Sequence, residues 1–307
     1  MSGQPFEMPG TLVEIPLSSR RPLDGFLLEG DRRYPLLVFV HGMHSNFYRS
    51  VLKKALMQEC RRARIGMLSF NNRGAEEGTN DERFKDCLSD LDAAIRFGRS
   101  RGYRSFVLAG HSTGCQKITY YQAVRGEDAV RGLVLLAIGD DRAIMKRDLG
   151  KNFSSWVCRA RAQVRRGAGS VPLGAPVIPP FSARRFLSIA DPDETEARIF
   201  DFERGALDHF RRVRCPVLAL LAGVDEYETI RPRDMIARLR AGYRGSWFEG
   251  GMVKDADHGF HGMERHVAKV ISGWVGVLNR RSCAKALKDR RPTRGRRRGR
   301  RGGGSPL

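Results

Sequence analysis

The sequence is short of acids, of closely spaced cysteines and of long apolar runs, and each shortage excludes something. Its 307 residues hold 34 Asp and Glu against 55 Lys and Arg, a formal charge of +21. No stretch approaches the roughly 20 apolar residues of a membrane-spanning helix, which argues against such a helix. The opening MSGQPFEMPG has neither a basic flank nor an apolar core, so it does not read as a secretory signal. The six cysteines (Cys60, Cys87, Cys115, Cys158, Cys215, Cys283) form no C-x-x-C pair. That spacing favours reduced thiols in a cytoplasmic protein over a disulfide framework or a zinc site. No internal repeat is present, and no metal or organic cofactor is expected.

The surplus of positive charge is concentrated at the end. Residues 280–307 carry 12 Lys or Arg against the single acid Asp289. Such a run cannot build a core and reads as a basic disordered tail. Weak electrostatic contact of this tail with nucleic acid or an anionic surface is an alternative to a passive, solubilising role, but it has no aromatic residue for base stacking.

What is there is a regular alternation of apolar strands and amphipathic helices, the pattern of a mostly parallel sheet covered on both faces. A hairpin is expected over 11–16 and 25–29, then strands at 35–40, 66–70, 106–109, 132–138, 216–222 and 246–249. Helices are expected at 48–64, 81–102, 116–124, 233–240 and 263–278. The helix at 81–102 rests on Phe84, Leu88, Leu91, Ala94, Ile95 and Phe97 at helical spacing. Alternation breaks between Gly139 and Arg214, a stretch rich in Pro and Arg. Loops of that length in a compact domain are usually lids or insertions, so residues 140–214 read as a cap between strands 6 and 7. The expected organisation is one domain over 1–279, holding that cap, and the tail over 280–307.

The most informative residues lie between the strand at 106–109 and the helix after it, where G-H-S-T-G occupies 110–114. A G-x-S-x-G turn between strand and helix places Ser112 on a tight, strained bend whose glycines remove colliding Cβ atoms. The helix beginning there favours negative charge developing beside it. A serine nucleophile needs a base and an acid that orients the base. In this fold they follow in the order Ser, Asp, His. Asp225 ends the strand at 216–222, and His258 lies in the loop before the last helix. Asp140, Asp141 and Glu226 are rival acids, and Asp257 is too near His258 in sequence to orient it. Among the other histidines, His111 suits packing beside the turn, while His261 and His266 suit surface or capping roles. Thr113 and the His41-Gly42-Met43-His44 loop should supply two backbone donors for an oxyanion, with Met43 preferred and His44 next. Asn71 and Asn72 read as supports for that loop.

Together these motifs resemble the α/β-hydrolase superfamily over about residues 10 to 279. The segments G-H-S-T-G-C-Q, G-D-D-R at 139–142, F-S-A-R-R-F-L-S at 181–188 and V-D-E-Y also resemble an uncharacterised-domain branch that includes fungal siderophore esterases. The resemblance implies an eight-stranded, mostly parallel sheet flanked by helices, and hydrolysis of a carboxylic ester, lactone or thioester by Ser112, Asp225 and His258. An acyltransferase on the same fold, or a basic-tailed nucleic-acid-binding protein, are the alternatives. The cap arginines (Arg159, Arg161, Arg165, Arg166, Arg184, Arg185) read as a solvated face, with an acidic-substrate site as the competing reading.

Overall fold

A computed structural model describes residues 6–18, 20–177 and 179–289. Eight strands form one sheet in the order β1-β2-β4-β3-β5-β6-β7-β8. They are β1 (Thr11–Leu17), β2 (Arg20–Leu28), β3 (Leu36–Val40), β4 (Met67–Phe70), β5 (Phe106–His111), β6 (Val130–Leu136), β7 (Val217–Ala222) and β8 (Phe248–Val253). The hairpin β1–β2 and its join to β4 are antiparallel, and every other pairing is parallel. This is the mostly parallel sheet that the strand–helix alternation implies, with the eight strands that the α/β-hydrolase resemblance implies.

Parallel strands are buried on both faces, so their side chains feed two cores in turn. In β3, Leu36, Val38 and Val40 enter one core, while Leu37 and Phe39 enter the other. In the same way, Phe106 and Leu108 of β5 oppose Val107 and Ala109. The first core is covered by α2 (Cys87–Ser100), α3 (Thr113–Arg125) and α7 (Pro232–Gly242). The second is covered by α1 (Val51–Arg62) and α8 (Glu264–Asp289). The Ser50 hydroxyl caps α1 by accepting from Lys53 N, which satisfies one of the first-turn donors.

Three boundaries differ from the sequence expectation. The helix expected from residue 81 begins at Cys87, after two short 3₁₀ turns at Glu76–Asp81 and Phe84–Asp86. Glu82 lies between those turns, buried and 2.6 Å from Lys117 Nζ, so the chain bends inward instead of helping a surface helix along. Strand β8 runs on through Gly250 and Gly251, which pair with Ala219 and Leu220 of β7. Helix α8 continues past residue 279 to Asp289, while residues 290–307 of the basic tail lie outside the described residues.

The insertion leaves the sheet after β6 and returns at β7. It holds α4 (Asp141–Leu149), α5 (Phe153–Arg165) and α6 (Ala183–Ala190). Phe153, Val157, Phe181, Phe186 and Leu187 give it a small core of its own, against which Met43 packs. Arg185 of α6 is fully buried, bonded to Glu196 and 3.7 Å from Glu82, so one buried cation ties the cap to the main domain. Among the described residues, no helix is long and apolar enough to cross a membrane.

Candidate active site

All the strands that bear on the site deliver their chain ends to the same edge of the sheet, the usual ligand edge of open α/β folds. There β5 turns abruptly into α3 at Ser112, whose backbone sits at φ 54°, ψ −128°. A side chain rarely holds such a conformation without surrounding constraint. The constraint here is steric and hydrogen-bonded. Ser112 N donates to Leu136 O at 2.9 Å. A Cβ on Gly110 would lie 2.5 Å from Gly114 backbone atoms, and one on Gly114 would lie 2.2 Å from Val40 O. Only glycine at both positions lets the turn close.

The end of β7 carries Asp225, and the loop after β8 carries His258. His258 Nδ1 is 2.8 Å from Asp225 Oδ2 and 3.0 Å from Oδ1. Asp225 Oδ1 also accepts from Tyr227 N at 2.9 Å, which fixes the carboxylate. The Tyr227 ring meets His258 edge-on at 4.7 Å, and His258 N donates to Glu226 Oε2 at 3.2 Å. His111 Nε2 donates to the His258 carbonyl at 2.8 Å. Burial pushes the His111 imidazole down to about 3, so it serves as a neutral strut between the serine turn and the histidine loop.

Ser112 and His258 line one cavity of about 490 Å³, together with Gly42, Met43, His44, Thr113, Asp141 and Tyr227. Their side chains share that space without a direct hydrogen bond. Such bonds are often long in unliganded sites and tighten with substrate. Of the rival acids, Glu226 touches only the His258 backbone amide. Asp140 caps α4, accepting from Ala143 N, and also accepts from Phe202 N and Glu203 N. Asp141 faces the cavity and not the histidine. His261 pairs instead with Asp257 at 2.8 Å, and that hydrogen bond raises its imidazole above the ordinary range.

The loop after β3 is held from three sides. His44 N donates to Thr79 Oγ1 at 3.1 Å, which removes it as a free donor. Asn72 Nδ2 donates to His41 O, and Asn71 Oδ1 accepts from Phe47 N at 2.9 Å. Lys53, on α1 and 1% exposed, donates to Asn46 O and to Ser45 Oγ at 3.3 Å. Neither Met43 N nor Thr113 N has an acceptor among the described residues. The supports Thr79, Lys53, Tyr227 and the His111 strut were not visible in the sequence: Thr79 and His111 act on residues distant in the chain, and Lys53 and Tyr227 act only once their loops fold back.

None of the six cap arginines lines the cavity. Arg161 pairs with Asp191 and Asp193, Arg184 with Asp81, Arg185 with Glu196 and Glu82, and Arg159 stacks on Trp156. No group of three or more His, Cys, Asp or Glu that could hold a metal ion comes together among the described residues.

A family described as a protein of unknown function, DUF1749, matches residues 76–275. No curated protein matches the sequence. Many solved structures share the fold. The siderophore hydrolase EstB from Aspergillus fumigatus superposes with a TM-score of 0.68 at 16% identity, over 89% of this chain and 98% of its own. Est1E from Butyrivibrio proteoclasticus gives 0.64 at 14% identity, over 87% and 98%. A monoacylglycerol lipase from Paleococcus ferrophilus gives 0.60 at 17%, over 83% and 99%. Identities this low carry the fold alone.

Proposed function

The chain belongs to the DUF1749 family and has the α/β-hydrolase fold, and from that premise we propose that it is a serine hydrolase cleaving a carboxylic ester through an acyl-enzyme on Ser112. The observation that carries the reading is the 2.8 Å contact of Asp225 with His258, a histidine that shares a cavity with a serine held at positive φ.

With Nδ1–H donated to Asp225, the lone pair of His258 rests on Nε2. In that tautomer His258 takes the Ser112 proton as Oγ attacks the ester carbonyl. The carbonyl oxygen becomes an oxyanion, received by the N–H groups of Met43 and Thr113, which have no competing acceptor. Collapse expels the alcohol, to which His258 returns the proton. Water, deprotonated by the same imidazole, then attacks the acyl-enzyme and releases the carboxylic acid and Ser112. The esterases and lipase that share the fold support ester chemistry in general.

Labelling with a fluorophosphonate probe and turnover of p-nitrophenyl butyrate test the reading. Both are expected of the wild type, and both should disappear in a folded Ser112→Ala variant. Retained turnover in that variant would overturn the assignment.

A further inference from the structure

The catalytic cavity contains an acid that the proposed chemistry leaves unused. Asp141 begins α4 and lines the cavity with Ser112 and His258. One carboxylate oxygen accepts from Gln116 Nε2 at 2.9 Å, and the same amide nitrogen also donates to Gly139 O at 3.1 Å. Gln116 belongs to α3, one turn past the nucleophile, so the acid is fixed relative to Ser112 by the helix that Ser112 starts. The other carboxylate oxygen has no hydrogen-bond partner among the described residues.

Among the described residues no cation is paired with this carboxyl. Although 55 of 307 residues are Lys or Arg, none lines the cavity. The two buried cations that act on Asp141 are committed elsewhere: Arg185 to Glu196 and Glu82, and Lys117 to Glu82 and Asn72 Oδ1. At the cavity mouth, Asp148 is already paired with Arg147 at 2.8 Å. Burial pushes the Asp141 carboxyl well above its usual range. Glu196 and Asp140 add repulsion, against a smaller pull from Arg185 and Lys117. Such a carboxyl favours its neutral form, and a cation placed beside it would draw it into the ionised one. Beside the polar His44, Ser45, Ser50 and Tyr227, the lining residues Met43, Ile144, Met145, Phe181 and Ile189 are apolar and suit methyl or methylene groups around a cation. Thr113, which also lines the cavity, has a buried hydroxyl with no partner.

We propose that Asp141 is the specificity-determining residue of this site, selecting esters that carry a cationic, ammonium-type group a few atoms from the scissile carbonyl. The proposal rests on the serine-hydrolase reading and narrows its substrate class.

Two matched ester pairs isolate charge from shape. On the acyl side, p-nitrophenyl 4-(trimethylammonio)butanoate is set against its carbon isostere, p-nitrophenyl 5,5-dimethylhexanoate. On the alcohol side, butyrylcholine is set against 3,3-dimethylbutyl butyrate. The wild type is expected to favour the cation in at least one pair by roughly 10- to 100-fold in kcat/KM, the range of one partly screened ionic contact, expressed mainly in KM. Asp141→Asn should bring that ratio close to one. A wild-type ratio near one in both pairs, or a preference that survives Asp141→Asn, would overturn the proposal. Butyltrimethylammonium ion provides a check that needs no variant: it should inhibit the wild type competitively, and absence of inhibition counts against Asp141. The two failures separate cleanly. Turnover of the neutral esters that depends on Ser112 but ignores charge refutes only the cation site. Turnover that persists in Ser112→Ala refutes the hydrolase reading beneath it.

Discussion

Gly42 is packed against Ser112: a Cβ on Gly42 would stand 2.8 Å from the Ser112 Cβ and 3.4 Å from its Oγ. The loop after β3 and the serine turn, proposed to hold the oxyanion and the nucleophile, are therefore in backbone-to-side-chain contact, and each sets the position of the other. Gly42→Ala must displace one of them. A shift of about 1 Å at a reacting atom costs on the order of 10²-fold, so kcat/KM for p-nitrophenyl butyrate should fall by about that factor while the variant still unfolds cooperatively. Steady-state kinetics beside a circular-dichroism melt make the measurement.

Asp225 and Glu226 are neighbours with different tasks. Asp225 holds the His258 ring, whereas Glu226 meets only its backbone amide and is exposed. Asp225→Asn should lower kcat by roughly 10⁴, because the amide favours the wrong imidazole tautomer. Glu226→Gln should cost less than about tenfold, in keeping with an exposed hydrogen bond. Equal losses in the two variants would refute this division.

Lys53 makes stability depend on pH. Burial pushes its ammonium down to about 7 from 10.5, so the folded state binds fewer protons than the unfolded state across that interval. Stability must then rise as pH climbs from about 7 toward 10.5, and fall away on acidification. Lys53→Met should lose this part of the slope, seen as a flatter plot of urea midpoint against pH. The same variant releases Ser45 and Asn46, so its esterase activity should fall as well.

Arg185 lies between the carboxylates of Glu82 and Glu196, and Lys117 answers only Glu82. Arg185→Met strands a buried negative charge and is expected to cost about 3–5 kcal/mol, read from urea unfolding. Pairing it with Glu196→Gln should recover part of the loss.

Where local structure is written into short range, the sequence was legible. The G-x-S-x-G turn needs only its own glycines and the strand before it, and Asp225 and His258 follow from chain order. The sheet itself was readable because β3, β5, β6 and β7 are apolar on both faces. What could not be read depends on partners far along the chain. The periodicity of Phe84, Leu88 and Leu91 continues backward past the true helix start, and nothing local says that Glu82 turns inward to Lys117. Gly250 and Gly251 are poor strand formers held extended by their ladder to β7. Lys53 has the spacing of a surface residue on α1, until the loop at Ser45 and Asn46 closes over it. Thr79 likewise acquires its role only when His44 is brought to it.

The cap departs from β6 and returns at β7, two strands that lie side by side with Leu133 paired to Val217. The strands are parallel, so the excursion leaves at one edge of the sheet and re-enters at the other, with both ends fixed by the sheet, and the cost of closing it grows only logarithmically with its length. On the proposed function, the part that reads the substrate is thus exchangeable in a way the triad is not. Substitution within 139–214 would retune what enters while Ser112, Asp225 and His258 stay in the turns after β5, β7 and β8, outside the cap. Arg185 and Arg184 are two of the ties through that seam, to Glu82 and Asp81, and a transplanted cap would have to replace them.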